Sequence, residues 1–298
     1  MTIQEALQTA RTLGLDRLDA QLLLLHAMGR PESDRAWLLA HDEDVIPEPV
    51  SQAFCEIGLR RAAGEPLAYI VGYKEFFGLR LKVDPRVLVP RPDTETLVQW
   101  SLDVLLDPAM PPHLQVLDLG TGSGAIALAI ASSLARSFKA TKRSVLVAAV
   151  DASGGALDVA RENARQLQLD VRFIQSCWLQ DVNKVSGHYQ LIVSNPPYIA
   201  AADPHLAALD YEPAEALSAG NDGLDDIRHI IAQAPAYLSP GAWLLLEHGY
   251  DQSARVCDLL AERGFAQIQT RQDLAGIGRC SGGQWLSAAS ADCLEIAG

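Results

Sequence analysis

The chain has 298 residues, 49% of them hydrophobic, and a formal charge of −13. That length and apolar content specify a substantial core in one large or two ordinary domains and exclude a disordered chain. The acidic balance argues against a general electrostatic hold on nucleic acid, which needs clustered Lys and Arg.

Five scattered cysteines (Cys55, Cys177, Cys257, Cys280 and Cys293) form no C-x-x-C pair. They fit a reducing compartment and neither a disulfide framework nor a zinc site. The start "MTIQEALQTA" carries Glu5 early and lacks the apolar core of a secretory signal. The run of four leucines at 22–25 is too short to span a bilayer. A soluble, cytoplasmic protein without membrane contact is expected.

The first seventy-odd residues read as helices. Thr2 and Glu5 have capping-box spacing ahead of Ala6, Leu7, Ala10 and Leu13, with Gly14 as a stop. Asp16 opens a second helix that ends near Gly29, and Ser33 caps a short third around Trp37. A fourth runs from about 49 to 63 and stops at Gly64, with Pro66 beyond. Four short amphipathic helices make a small bundle over residues 1–73.

The period then changes. "GLRLKVD" alternates apolar with charged residues and "RVLVP" follows Pro85, so residues 74–92 are expected to be a β-hairpin linker. "PRPDTETLVQW" starts a helix with Asp93 or Thr94 as N-cap. From residue 114, strand and helix patterns alternate, so 93–298 reads as an α/β domain with a doubly wound, mostly parallel sheet. The stretch 200–224 lacks periodicity and reads as a long loop over a site.

Two segments carry chemistry. In "LDLGTGSGAIALAIA" a strand ends at Leu119, glycines follow at 120, 122 and 124, and an apolar helix begins. Such glycines allow a tight turn and let backbone approach a ligand. The second strand ends at Asp151, placed either to accept from ribose hydroxyls or to cap the next helix. Trp178 follows the third strand, where its ring lies against a purine face or packs into core. The fourth strand runs into "SNPPYIA". Two prolines end pairing and stiffen the strand end, which presents the Asn195 amide, unpaired carbonyls and the Tyr198 ring.

"DLGTGSG" followed by Asp151 resembles class I S-adenosylmethionine-dependent methyltransferases, and "NPPY" narrows this to enzymes acting on amide-like or exocyclic amino nitrogens. With "EFFGLRLKVDPRVLVPRPDTE", "YEPAEAL", "DGLDDIRHII" and "LLLEHGYDQ", the whole chain closely resembles the HemK/PrmC family, glutamine N5-methyltransferases of class I peptide chain release factors. The resemblance implies that Asp118 and the loop Gly120, Thr121, Gly122, Ser123 and Gly124 hold the methionine part of S-adenosylmethionine. It places Asp151 at the ribose and Trp178 at the adenine. Asn195, Pro196, Pro197 and Tyr198 would bind and orient the substrate amide, two acceptors drawing its N–H bonds, and no metal is called for. It also implies a release-factor partner presenting a Gly-Gly-Gln tripeptide, and a monomer is expected. One departure is Cys177, where the family often has an acid.

Arg91 and Glu95 are placed either at the site or in closing the hairpin on the catalytic domain, and His248 is read as structural. The chain's own Gly282-Gly283-Gln284 reads as coincidence within a late strand or turn. The rival is an adenine-N6 DNA or RNA methyltransferase with a flipped base on Tyr198. It would want a basic groove that this acidic chain does not advertise. A non-catalytic binder would be expected to have lost some of these motifs, and a nicotinamide dehydrogenase has different glycine spacing.

Overall fold

The N-terminal helices are set by their caps. In the computed structural model, which describes residues 1–182 and 189–286, Thr2 Oγ1 accepts from the Glu5 N–H at 3.2 Å. The Glu5 carboxylate accepts in return from the Thr2 N–H at 2.8 Å, opening α1 (Ile3–Thr12). Asp16 caps α2 (Arg17–Ala27) through the Asp19 N–H at 2.9 Å. Ser33 does not cap the third helix. Pro31 starts a 3₁₀ turn at Glu32–Asp34 that runs directly into α3 (Arg35–Ala40) without a side-chain cap.

After α4 (Glu48–Ala62) comes a fifth helix absent from the sequence reading, α5 (Leu67–Val71), entered through Pro66 and closed by Gly72. Ile3, Leu23, Leu24, Leu38, Phe54 and Ile70 share one core in the unit Met1–Tyr73. Cys293 lies outside the described residues.

The second unit, Lys74–Gly298, is the larger. The hairpin is shorter than its alternation suggests: β1 (Tyr73–Phe76) and β2 (Leu79–Lys82) pair, but "RVLVP" forms no strand. Asp84 instead turns the chain, accepting the Arg86 N–H at 3.1 Å at its carboxylate and the Val87 N–H at 3.0 Å at its carbonyl. Pro85 and Pro90 have no N–H for a ladder. Val87 and Val89 are buried all the same, so the apolar pattern reported burial and not pairing.

Beyond α6 (Glu95–Leu106), seven strands form one sheet. They are β3 (His113–Leu119), β4 (Ser144–Asp151), β5 (Arg172–Gln175), β6 (Tyr189–Ser194), β7 (Leu238–Glu247), β8 (Ala266–Gln272) and β9 (Gly278–Trp285). Their order is β5-β4-β3-β6-β7-β9-β8, with β9 alone antiparallel to its neighbours. Both faces are buried, which is why β3, β6 and β7 read as near-continuous apolar runs. Leu191, Val193 and Leu245 pack with α6 and α7 (Ala125–Phe138). Their alternates Ile192, Leu244 and Leu246 pack with α9 (Asp225–Gln233) and α10 (Ser253–Arg263). α8 (Gly154–Leu167) completes the helices.

The direction of winding reverses between β3 and β6, and ligands of such sheets bind beyond the strand ends at that switch. Ser194 bridges the two strands there, its Oγ donating to the Leu119 carbonyl at 2.7 Å.

Candidate active site

A cavity of about 510 Å³ opens at the carboxyl ends of β3, β4, β5 and β6. Its walls include Gly120 and Gly122, Asp151 to Ser153, Ser176 to Trp178, Asn195 and Pro197. Val87 and Leu88 close one side, and Pro213, Glu215 and Ala216 of the long loop another. That loop returns to the strand end, where Ile199 exchanges backbone hydrogen bonds with Leu217 at 2.9 Å and Ala219 at 3.0 Å.

The glycine loop is a rigid turn built from behind. Gly120, Gly122 and Gly124 all have positive φ, a region that favours glycine. A Cβ on Gly120 would stand 3.4 Å from the Trp178 ring, so only glycine leaves backbone bare under that ring.

Asp118 does not reach the cavity. It is fully buried, accepts from Thr121 Oγ1 at 2.6 Å and from the Ala127 N–H at 3.2 Å, and so braces the loop on α7. Its Oδ1 is buried without a hydrogen-bond partner among the described residues, and burial pushes its pKa up to about 7. Thr121 and Ser123 are also buried. Asn163 of α8, which sequence reasoning missed, holds the Ser123 carbonyl at 2.9 Å and exchanges two hydrogen bonds with the Lys82 backbone. A helix asparagine carries no sequence signal for such a role.

Asp151 is not the helix cap; Ser153 is, accepting the Ala156 N–H at 3.1 Å. The Asp151 carboxylate instead accepts from the Gly122 N–H at 2.8 Å and the Ser153 N–H at 2.9 Å, and it lines the cavity. Burial raises its pKa despite those bonds. Trp178 adopts φ +51°, a costly conformation for a bulky residue. It places the ring over Gly120 with Nε1 donating to Asp226 Oδ1 at 3.1 Å. Cys177 is exposed on the wall, and Asp226 is the carboxylate that reaches the same region, carried from α9. Its motif, "DGLDD", gives no hint of which acid points inward.

Asn195 sits half-buried on the cavity wall, its Nδ2 donating to Thr94 Oγ1 at 3.3 Å. Pro196 is buried and Pro197 lines the cavity. Tyr198 turns away from the lining. Its hydroxyl donates to Glu247 Oε1 at 3.4 Å, its carbonyl accepts from Gln252 Nε2 at 3.0 Å, and burial beside the Glu247 carboxylate raises its pKa. Thr94 ends the 3₁₀ turn Pro92–Thr94 and enters α6 with helical backbone angles, so neither it nor Asp93 caps the helix; its hydroxyl oxygen accepts from Asn195 Nδ2 instead.

Arg91 is ion-paired to the buried Glu212, which also accepts the Val89 N–H at 3.2 Å and so pins the long loop beside the cavity. Glu95 accepts the Phe77 N–H at 3.0 Å, a structural tie to the hairpin. His248, fully buried between Ser281 Oγ at 2.8 Å and the Gly249 carbonyl at 2.9 Å, is structural. Gly282-Gly283-Gln284 lies inside β9, and a Cβ on Gly282 would stand 2.4 Å from Leu245. Gln284 Nε2 donates to the Gly241 carbonyl at 2.7 Å. Among the described residues no group of His, Cys, Asp and Glu could hold a metal ion, and no helix is long and apolar enough to cross a membrane.

The strand order, with one antiparallel member, and a cavity straddling the switch between β3 and β6 define a class I methyltransferase. The solved catalytic domain of hMettl16 in complex with MAT2A 3'UTR hairpin 1 shares this fold, with a TM-score of 0.53 at 14% identity over 84% of this chain and 85% of that one. Residues 2–72 match the PrmC N-terminal domain, and residues 102–211 match the methyltransferase small domain. A release factor glutamine methyltransferase of Burkholderia pseudomallei is 45% identical over 288 residues, 94% of this chain and 95% of that one. One from Bordetella pertussis is 44% identical over 272 residues, 91% and 95% of the two chains. This chain belongs to the release factor glutamine methyltransferase family.

Proposed function

We propose that this enzyme transfers a methyl group from S-adenosylmethionine to the side-chain amide nitrogen of the glutamine in the Gly-Gly-Gln tripeptide of class I peptide chain release factors, in the cytoplasm. The residues present suit the cofactor. The cavity is of ligand size, backbone is bare at Gly120 and Gly122, and the Asp151 carboxylate stands where ribose hydroxyls can donate. The Trp178 ring offers a flat apolar wall for adenine, and Asp226 beside it supplies the acceptor that Cys177 does not.

When bound, S-adenosylmethionine supplies a methyl group already activated by a positive sulfonium. The protein must then orient a poor nucleophile, since an amide lone pair is delocalised into its carbonyl. Asn195 Oδ1 and the Pro196 carbonyl accept from the two amide N–H bonds, orienting the nitrogen and favouring the positive charge that builds on it. The prolines hold both acceptors in place beforehand. Tyr198 supports that strand end from behind through its bond to Glu247. The unit over residues 1–73 reads the protein substrate, and 74–92 joins it to the catalytic unit at 93–298.

The observation that carries this reading is Asn195, its nitrogen committed to Thr94 and its side chain on the cavity wall. The test is incubation with methyl-labelled S-adenosylmethionine and a class I release factor, wild type or with the tripeptide glutamine changed. Label mapped to that glutamine on the wild type alone supports the reading. Transfer to adenine in DNA or RNA, with none to the release factor, overturns it.

A further inference from the structure

The cavity is closed by two segments far apart in the chain, Val87 and Leu88 on one side and Pro213, Glu215 and Ala216 on the other. One carboxylate joins them. Glu212, next to the second wall, accepts at Oε2 from the Val89 N–H, next to the first, at 3.2 Å. Its Oε1 pairs with the Arg91 guanidinium just beyond. The Glu212 side chain is 3% exposed, too little for water to satisfy, so its charge depends on Arg91, which is itself 40% exposed. Removing one partner of such a pair leaves a buried charge uncompensated, which is strongly unfavourable, so the native state keeps the pair closed.

Both anchors of this tie are stiff. Pro213 follows Glu212 and leads into the 3₁₀ turn Ala214–Ala216, where the Ala216 N–H donates to the Pro213 carbonyl at 2.9 Å. Pro90 separates Val89 from Arg91, and the Val87 N–H donates to the Asp84 carbonyl at 3.0 Å. A proline beside each anchor fixes φ there, so the place of Glu212 sets the place of the wall residues that follow it. At its far edge the second wall is stitched to the end of β6 by backbone bonds of Ile199 with Leu217 and Ala219. At the near edge the Glu212 carboxylate takes that part.

We propose that Glu212 is a positioning residue that clasps the two walls of the cavity together through Arg91, and so sets how tightly and how long S-adenosylmethionine and its product are held. This rests on the proposed reading of the cavity as the cofactor site. Glu212 does not line the cavity; it acts by holding the segments that do.

The experiment compares Arg91→Met, Glu212→Gln and the double variant with the wild type. The first readout is the dissociation rate of S-adenosylhomocysteine, followed in stopped flow by tryptophan fluorescence, since Trp178 stands on the cavity wall. The others are KM for S-adenosylmethionine, kcat, and amide hydrogen exchange of the unliganded protein. Arg91→Met strands the Glu212 carboxylate. It is expected to speed dissociation by about tenfold and to raise KM in proportion, with kcat within about threefold of wild type. In the double variant the stranded charge is gone and the glutamine oxygen still accepts the Val89 N–H, so dissociation should return to within about threefold of wild type. Glu212→Gln alone leaves an Arg91 that water can reach, and should match the double variant. Exchange in unliganded Arg91→Met is expected to quicken across 86–91 and 212–219 together, with the amides of β3 and β6 unchanged. Wild-type dissociation and KM in Arg91→Met, a double variant no better than Arg91→Met, or exchange that quickens at one wall without the other each overturns the clasp. So does a lowered melting temperature with no split between KM and kcat. Should the wild type bind no S-adenosylhomocysteine, the reading of the cavity fails separately, and the clasp is judged by whether exchange quickens at both walls.

Discussion

The sheet has a cavity at each end, and the two are nearly equal in size. Against the one of about 510 Å³ at the carboxyl ends stands another of about 520 Å³ at the amino ends of β6 and β7, walled by Trp100, Gln190, Trp243, Arg271 and Gln284. Size therefore decides nothing. At the amino end the polar groups are spent on one another. Gln190 bridges the Gln115 N–H at 2.7 Å and Ser239 Oγ at 3.0 Å, Gln284 holds the Gly241 carbonyl, and Asp103 pairs with Arg271. The carboxyl end is different. Backbone is bare at glycines of positive φ, Trp178 is strained into place, and the acids around the cavity are desolvated. What marks the binding end is desolvated carboxylates beside bare glycine backbone under a bulky ring; positive φ alone does not mark it, since Gln267 and Gly241 at the amino-end cavity share it.

Substitutions at the two ends should separate cleanly. The largest effect is expected from Asn195→Ala, which should cut kcat by about a hundredfold or more while S-adenosylhomocysteine still binds. Gln190→Ala at the opposite end should leave kcat within about twofold of wild type, and equal losses at both ends in steady-state kinetics would erase the contrast. Gly120→Val comes next. Its side chain would meet the Trp178 ring at a backbone φ of +70°, so titration calorimetry should show cofactor affinity down by at least about tenfold.

Asp151→Asn should weaken cofactor binding by about tenfold, through lost acceptors for ribose and a loosened Gly122 turn. Its counterpart, Asp103→Asn, removes a partly exposed ion pair worth about 0–1 kcal/mol and should shift the melting temperature by only a few degrees.

The smallest effect is one of pH. Burial raises the Glu247 carboxyl to about 7, above its unfolded value near 4.5, so the folded chain keeps a proton that the unfolded chain releases. The stability tied to that proton is fully present below about pH 4 and is lost as pH rises through about 7. Thermal melts of Glu247→Gln and wild type, compared at pH 5 and pH 8, should show the variant gaining on the wild type by several degrees at the higher pH. A constant difference across that range would mean that Glu247 is not the carrier of this proton.

Much of the fold was legible because it is written in period and punctuation. The apolar runs along 114–119, 144–151 and 189–194, each ending in turn residues, locate the parallel strands and the loop after β3. The capping box at Thr2 and Glu5 shows equally plainly. What escaped was burial that mimics pairing, as at Val87 and Val89, and a 3₁₀ turn that carries the chain into a helix without a side-chain cap, as at Pro92–Thr94. The site divides in the same way. The glycines, Asp151 and Asn195 were legible because local sequence alone demands an account of them. Asn163, Glu212, Asp226 and Glu247 were not, since each acts on a segment distant in the chain and nothing in its own neighbours marks the partner. Asp118 was visible as a residue but misplaced in role: strand alternation does not tell whether a carboxylate at a strand end faces the ligand or the loop beneath it.

The tripeptide Gly282-Gly283-Gln284 gives this family member a copy of its proposed substrate sequence woven into its own sheet. Packing alone explains the glycines, because a Cβ at 282 would strike Leu245 and one at 283 would stand 2.9 Å from Phe265. The chain thus carries a permanent decoy that its architecture keeps illegible, with Gln284 spoken for by Gly241 and the backbone on either side spent in the ladders with β7 and β8. Discrimination between self and substrate then needs no recognition device; it follows from the accessibility of the backbone. Modification at Gln284 would act on an amide nitrogen that already donates to the Gly241 carbonyl, so a methyl mark there would report how often that bond opens.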